Sequence, residues 1–142
     1  MSDLCVAGVS RGGMMSYMTA RQDKRIKGII AISAVSDLFQ AYEERDDMKT
    51  LLNNYIGGSP DDLPYEYEKR SAVYWTDELN VPTLMIHSKQ DEQVSFSQAE
   101  NLYSELKLTN PNCTFIAYDD NTHGLHKDDG AKIYEWLNET FN

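Results

Sequence analysis

The feature that most constrains this chain is a serine between two glycines, placed where a strand pattern changes directly into a helix pattern. The run Leu4–Val9 consists of small and β-branched apolar residues, which is typical of a strand buried on both faces. It continues through Gly8, Ser10 and Gly12 into a helix pattern over residues 14–20. We expect a sharp turn that needs small residues two before and two after the serine, with the hydroxyl exposed at the carboxyl end of the strand. The helix would point its amino-terminal N–H groups and positive dipole end toward this place.

Two interpretations of this turn are open. In the first, Ser10 is an activated nucleophile, because strand, glycine-flanked serine and helix follow one another without a spacer. In the second, Ser10 is only the N-cap of the helix in a glycine-rich turn, which is common in α/β proteins. The rest of the chain has to distinguish them.

Three further apolar runs, at residues 28–35, 83–87 and 113–118, predict three more buried strands. Helix patterns separate the runs, so we expect an α/β fold with about four parallel strands and right-handed crossovers. In such sheets the chemistry collects outside the carboxyl ends of the strands. The residues that follow the first, third and fourth runs include Ser10, Asp91 and His123.

The connections between the strands are predicted to be mostly helical. The polar and acidic segment 36–80 has helix patterns at Leu38–Glu44 and 48–55, and Pro64 lies near the start of another. Later helices are predicted at residues 96–108 and, after the loop 119–126, in a last stretch that ends near Phe141.

A serine hydroxyl needs a base to take its proton, and the base needs an acid to orient it. His123 is the candidate base, because it lies in a loop beside Gly124; His87 ends a buried strand and reads as structural, and His126 as solvated or capping. Asp91, four residues after the third strand, is the first choice of acid, and Asp37 is the second. We interpret Asp119 and Asp120 as loop solvation. The order serine, aspartate, histidine is that of α/β-hydrolases.

Composition excludes several classes of partner. The 142-residue chain has a formal net charge of −10 and a pI near 4.6, so nucleic acid and anionic membranes are poor partners. We expect no membrane helix and no signal peptide, because no apolar stretch is long enough and the amino terminus lacks the required basic and apolar regions. We also expect no cofactor, and no metal site because the cysteines and histidines lack zinc-like spacing. Cys5 and Cys113 both lie in apolar runs, so we expect free buried thiols and a cytoplasmic protein.

Several motifs together make the chain resemble the carboxyl-terminal half of the catalytic domain of the prolyl oligopeptidase family, within the α/β-hydrolase fold. The motifs are Gly8-Val9-Ser10-Arg11-Gly12-Gly13, Tyr55-Ile56-Gly57-Gly58-Ser59-Pro60, Arg70-Ser71-Ala72-Val73, Val81-Pro82-Thr83-Leu84-Met85-Ile86-His87 with Asp91 and Val94, and His123-Gly124. They cover nearly the whole chain, residues 1–142, which we treat as one part of a catalytic domain. The resemblance implies Ser10 as nucleophile, Asp91 as acid and His123 as base. Ser88 is one departure, since the family usually has glycine after the histidine.

The resemblance also implies a partial, three-layer fold from which the strands that precede the elbow are missing. Those strands would carry the loop that supplies a second oxyanion donor, whereas the Arg11 N–H can supply one. Losing one donor costs about 10²–10³ in rate. We therefore hold two hypotheses: a serine hydrolase acting on small peptide, amide or ester substrates, and a remnant that keeps the triad but mainly binds or assembles.

The same reasoning predicts association. Without the preceding strands, Leu4–Val9 would be an open apolar edge. With right-handed crossovers, one face of the sheet would be covered by the final helix alone. We expect a homo-oligomer, most simply a two-fold dimer, unless another chain supplies the missing half of the domain.

Overall fold

The computed structural model describes residues 3–142 and contains four strands and six α-helices in that range. The strands are β1 (Leu4–Val9), β2 (Ile26–Ile32), β3 (Thr83–Ser88) and β4 (Cys113–Tyr118). The helices are α1 (Arg11–Gln22), α2 (Leu38–Glu44), α3 (Asp46–Ile56), α4 (Pro64–Glu68), α5 (Phe96–Leu106) and α6 (Asp129–Phe141), with short 3₁₀ turns at Ala72–Tyr74 and Thr76–Glu78.

The strands form one parallel sheet in the order β1-β2-β3-β4, so the predicted α/β class and strand count are confirmed. Val9 pairs with Ile32, Ile32 with Ile86, and Ile86 with Ile116. The carboxyl ends of all four strands therefore lie at the same edge of the sheet. This register brings the loops after β1, β3 and β4 together.

Helices cover both faces of the sheet. On β2, Ile29 and Ala31 contact a core that includes Tyr17 of α1 and Leu102 of α5. Ile30 and Ile32 point to the opposite face and pack with Trp136 of α6. The central strands are buried on both sides, which explains why they read as continuous apolar runs.

A third apolar cluster lies beyond the carboxyl edge of the sheet. The cap helices, α2, α3 and α4, contribute Leu38, Leu52 and Tyr67 to it, and Met14 and Val94 reach it from α1 and the loop after β3. The cap helices thus pack directly beside the loops at the strand ends.

Two strand predictions need correction. Leu4–Val9 is not buried on both faces: Leu4 is 49% exposed and Ala7 is exposed, because β1 has a strand neighbour only on the β2 side within the described residues. The second strand ends at Ile32 and not at Val35, because Ser33 has a positive φ of 49° that turns the chain.

Within residues 3–142 no helix is long and apolar enough to cross a membrane. The same residues hold no cluster of three or more histidine, cysteine, aspartate or glutamate side chains that could bind a metal ion. Cys5 and Cys113 are free and only partly buried, and burial raises the pKa of the Cys113 thiol to about 12.

Candidate active site

The turn after β1 holds Ser10 in a strained conformation. Its φ of 58° and ψ of −117° lie in a region that L-residues rarely occupy. Backbone hydrogen bonds maintain this geometry: the Ser10 N–H donates to Ile32 O at 2.8 Å, and Ser10 O accepts from Gly13 and Val35 at 3.0 and 3.3 Å. The turn is therefore fixed by the sheet on one side and by α1 on the other.

The glycine requirement of this turn differs in part from the prediction. A Cβ at Gly8 would lie 2.1 Å from Gly12 O, so the residue two before the serine must be glycine. A Cβ at Gly12 would have no atom within 4 Å, so the residue two after the serine is not sterically required to be small. The second position that requires glycine is Gly13, because a Cβ added there would lie 2.3 Å from Ala34 Cβ.

The structure brings Ser10, His123 and Asp91 into one hydrogen-bonded chain. Ser10 Oγ is 3.0 Å from His123 Nε2, and His123 Nδ1 is 2.9 Å from Asp91 Oδ2. Because an ionised carboxylate only accepts, the Nδ1–H donates to Asp91, and Nε2 is left with a lone pair facing the Ser10 hydroxyl. The side chain of Asp91 is fully buried and that of His123 is 15% exposed.

Backbone groups hold the Asp91 carboxylate in place. Its Oδ1 accepts from the N–H groups of Gln93 and Val94 at 2.8 and 3.0 Å. Oδ2 faces His123, so the buried carboxylate of Asp91 accepts hydrogen bonds from both backbone and side-chain donors. Two backbone hydrogen bonds in the short turn after β3 therefore position a side chain that lies beyond the strand end.

The alternative candidates make other contacts, although His87 Nε2 also lies 3.5 Å from Asp91 Oδ2. His87 is buried and its Nε2–H donates to Val94 O at 2.8 Å, as expected for a structural histidine; burial lowers its pKa. Asp37 accepts from Gln40 N–H at 3.1 Å as the N-cap of α2, and burial raises its pKa. Neither side chain completes a chain with Ser10.

His126 is not the solvated residue that one of its two interpretations predicted, whereas the Asp120 side chain is 40% exposed, in keeping with loop solvation. The His126 ring is 12% exposed, stacks on Tyr118 with centroids 3.7 Å apart, and its Nε2 lies 2.9 Å from Asp120 Oδ2. Asp120 also accepts from Thr122 N–H at 3.0 Å, and hydrogen bonds, chiefly from Ser88, lower its pKa to about 2. Asp119 remains at the surface, where it accepts from Gln90. The pair Asp120 and His126 therefore braces the loop that carries His123.

Sequence reasoning also missed Ser33. Its buried Oγ accepts from Gly124 N–H at 3.0 Å, directly after His123, and Gly124 has a φ of 116°. A serine within an apolar run gave no signal for this role, because the run read as continuous strand. Ser33 joins the end of β2 to the histidine loop.

The amino terminus of α1 offers a donor to an oxyanion. In the described part of the chain, the Arg11 N–H has no hydrogen-bond acceptor, and it belongs to the first turn of α1, where N–H groups lack helical partners. It directly follows Ser10, and the positive end of the helix dipole lies at the same place. Arg11 N–H is therefore free to donate to a negative oxygen that forms next to Ser10.

A cavity of about 480 Å³ opens beside Ser10. Its walls come from α1, α2, α3 and the turn that follows β3. Most of the lining residues are apolar: Met14, Val35, Leu38, Met48, Leu51, Leu52, Tyr55 and Val94, with Arg11, Arg45, Asp47 and Gln93. This volume and lining suit an apolar group of a small molecule.

Solved structures with a similar fold define the fold class as that of the α/β-hydrolases. The acylaminoacyl peptidase of Pyrococcus horikoshii superposes with a TM-score of 0.84 at 20% identity, over 94% of this chain and 23% of that one. A puromycin-hydrolyzing peptidase of Mycobacterium tuberculosis gives 0.78 at 24% identity, covering 94% of this chain and 20% of its own. The Pyrococcus furiosus esterase Pf2001 gives 0.71 at 19% identity, covering 96% and 53%.

The chain belongs to the prolyl oligopeptidase family (Peptidase_S9), whose sequence pattern it matches over residues 1–142. A curated relative, the uncharacterized peptidase YtmA of Bacillus subtilis (strain 168), is 29% identical over 135 residues. That match covers 94% of this chain and 52% of YtmA, so the chain spans about half the length of that relative. The resemblance predicted from the motifs is thereby confirmed at the level of the family and fold.

Proposed function

We propose that this chain carries the catalytic residues of a serine hydrolase that cleaves peptide, amide or ester bonds. The observation that carries the proposal is the hydrogen-bonded chain from Ser10 through His123 to Asp91, at a strained turn beside an apolar cavity. Membership in the prolyl oligopeptidase family supports it. The names of the related proteins, which include peptidases and an esterase, support the range of bonds.

The geometry supports an acyl-enzyme mechanism. Ser10 Oγ attacks the substrate carbonyl carbon while His123 Nε2 takes the hydroxyl proton, and the carbonyl oxygen becomes an oxyanion that Arg11 N–H stabilises. The bond to the leaving group then breaks, and the leaving oxygen or nitrogen takes the proton from Nε2. Water attacks the acyl-serine in the same way, with Nε2 as base, and releases the acid and free Ser10. Asp91 keeps the ring in one tautomer and stabilises the imidazolium throughout.

Hydrolysis of p-nitrophenyl octanoate tests the proposal. We expect turnover by the native chain and its loss in Ser10→Ala, because no other hydroxyl completes the chain to His123 and Asp91 in the described residues. Thr109→Val is the matched control: it removes a hydroxyl that bonds to Leu106 O at 3.4 Å after the end of α5, away from Ser10. We expect Thr109→Val to retain most of the activity.

The alternative, a remnant that retains the three side chains without turnover, gives a different result. A chain that is labelled at Ser10 by a fluorophosphonate yet hydrolyses no ester would support that alternative. A Ser10→Ala variant that hydrolyses the ester as fast as the native chain would contradict both.

A further inference from the structure

Arg11 lines the cavity beside Ser10, and no acid among the described residues neutralises its guanidinium. Arg11 Nη2 donates to the Tyr55 hydroxyl at 2.9 Å, and its guanidinium lies over the Tyr55 ring at 4.5 Å from the centroid. Both contacts are with a neutral side chain. Among the described residues no carboxylate lies within 4.0 Å of Arg11, although the chain has 23 acidic and 13 basic residues.

The second arginine of the cavity is different. Arg45 pairs with Asp47 and donates from Nη1 to Gln93 O at 3.2 Å, so its charge is neutralised within the cavity wall. The three charged groups in the lining, Arg11, Arg45 and Asp47, thus sum to one positive charge. That charge resides on Arg11.

The position of Arg11 adds to this positive potential. Arg11 is the first residue of α1, whose first turn contains no acidic residue, so the cation lies at the positive end of the helix dipole. A cation there is unfavourable without an anion nearby. Arg11 and Tyr55 both line the cavity and are both exposed, so a bound anion would meet the planar donors of the guanidinium at the solvent-facing side of the cavity.

We propose that Arg11 selects substrates whose acyl group combines an apolar chain with a negatively charged carboxylate. This inference rests on the proposed hydrolase function. The acyl carbon would sit at Ser10, the methylene chain against Met14, Met48 and Leu52, and the carboxylate on the Arg11 guanidinium. The substrate class is half-esters or half-amides of medium-chain dicarboxylic acids, and acyl groups of the same shape.

Two p-nitrophenyl esters that differ in the charge of the far carboxyl group and in one methyl group test this selection. They are the half-ester of suberic acid, which carries a free carboxylate, and its methyl ester, which is neutral. The eight-carbon chain places the carboxylate too far from the ester for efficient attack on its own carbonyl. For the native chain we expect kcat/KM to be about tenfold higher for the charged ester, because a charge-assisted hydrogen bond from Arg11 contributes a factor of about this size. In Arg11→Met we expect the ratio to fall to about one, and in Arg11→Lys to lie in between.

Arg21→Met is the matched control, because it removes an arginine that also stacks on an aromatic ring, Trp75, but that pairs with Glu78 outside the cavity. Its ratio is expected to equal that of the native chain. Raising the salt concentration is expected to lower the native ratio and leave that of Arg11→Met unchanged. A ratio that is the same in the native chain and Arg11→Met, or a native preference for the neutral ester, would overturn the proposal.

Ligand binding separates this proposal from the hydrolase function. In a Ser10→Ala background, monomethyl suberate is expected to bind about tenfold more tightly than dimethyl suberate by ligand-observed NMR, and the further change Arg11→Met is expected to abolish the difference. A binding preference without turnover of either ester would support the selection and count against hydrolysis. Turnover without a binding preference would support hydrolysis and count against the selection by Arg11.

Discussion

Ser10 is the residue on which the geometry of the site depends. Its strained backbone is held by hydrogen bonds from both β2 and α1, and its hydroxyl is 3.0 Å from the His123 ring. The histidine in turn relies on neighbours that take no part in the proposed chemistry. Ser33 is the clearest of these, because it anchors Gly124 at 3.0 Å.

We predict that Ser33→Ala lowers kcat by about tenfold or more with little change in KM. The substitution leaves the Gly124 N–H without its acceptor and releases the loop that orients His123, and small displacements of a catalytic group are costly. Steady-state kinetics with p-nitrophenyl octanoate measure this effect. Thr83→Val is the control: Thr83 is as buried, but its hydroxyl bonds to Val81 O where β3 begins, away from the site. A Ser33→Ala variant that loses stability but keeps the kcat of Thr83→Val would contradict a positioning role.

His87 makes stability depend on pH. Burial lowers its pKa below the ordinary 6.5, so the unfolded chain binds this proton at a higher pH than the folded chain does. The free energy of unfolding should therefore fall as the pH drops below about 7, with a slope of up to about 1.4 kcal/mol per pH unit for one proton. Urea unfolding between pH 8 and 5 measures the slope. The slope should be smaller in His87→Gln, because this variant lacks the titrating ring. A slope equal to that of the native chain would mean that other groups cause the pH dependence.

The unit formed by β1, its turn and α1 shows which glycines the fold requires. Gly8→Ala is expected to destabilise the chain by about 1–3 kcal/mol, because the new Cβ would meet Gly12 O. Gly12→Ala is the matched control: it adds the same methyl group in open space within α1, where alanine is favoured over glycine by up to about 1 kcal/mol. Urea unfolding of the two variants measures the difference. Equal losses of stability in the two variants would contradict a steric requirement for glycine at position 8.

The sequence predicts those parts of the site that follow strands. Ser10, Asp91 and His123 lie after β1, β3 and β4, and the parallel direction of the strands places these loops at one edge of the sheet. The cavity could not be predicted in this way. Its far wall comes from the short polar helices α2 and α3, and their sequences do not indicate which residues they contact when they pack beside the sheet edge. The role of Ser33 could not be predicted, because a single polar residue in an apolar run does not indicate its hydrogen-bond partner.

At the scale of the whole molecule, the open side of β1 is the surface best suited to association with another chain. Within the described residues β1 pairs only with β2, and both Leu4 and Ala7 are exposed. An unblunted edge of this kind favours strand pairing with another chain. We propose that the chain associates through this edge, most simply as a two-fold dimer, or pairs there with strands that complete a longer domain.

Ala7→Lys tests this association. The substitution places a charge on the exposed side of β1, a feature that opposes edge pairing. Light scattering at tens of micromolar is expected to give a dimer or larger species for the native chain and a mass near 16.2 kDa for Ala7→Lys. Leu108→Lys, which adds the same charge at a residue 74% exposed after α5, should behave like the native chain. A native chain that is monomeric under these conditions would refute self-association.

Site-resolved labelling by a fluorophosphonate tests the central claim most directly, because it requires an activated serine but no complete catalytic cycle. Peptide mapping by mass spectrometry is expected to find one adduct per chain, on Ser10. The labelling rate should fall at least about 100-fold in His123→Ala, which removes the base 3.0 Å from the hydroxyl. An adduct on another residue, or equal rates in the native chain and His123→Ala, would contradict the proposed role of Ser10 and His123.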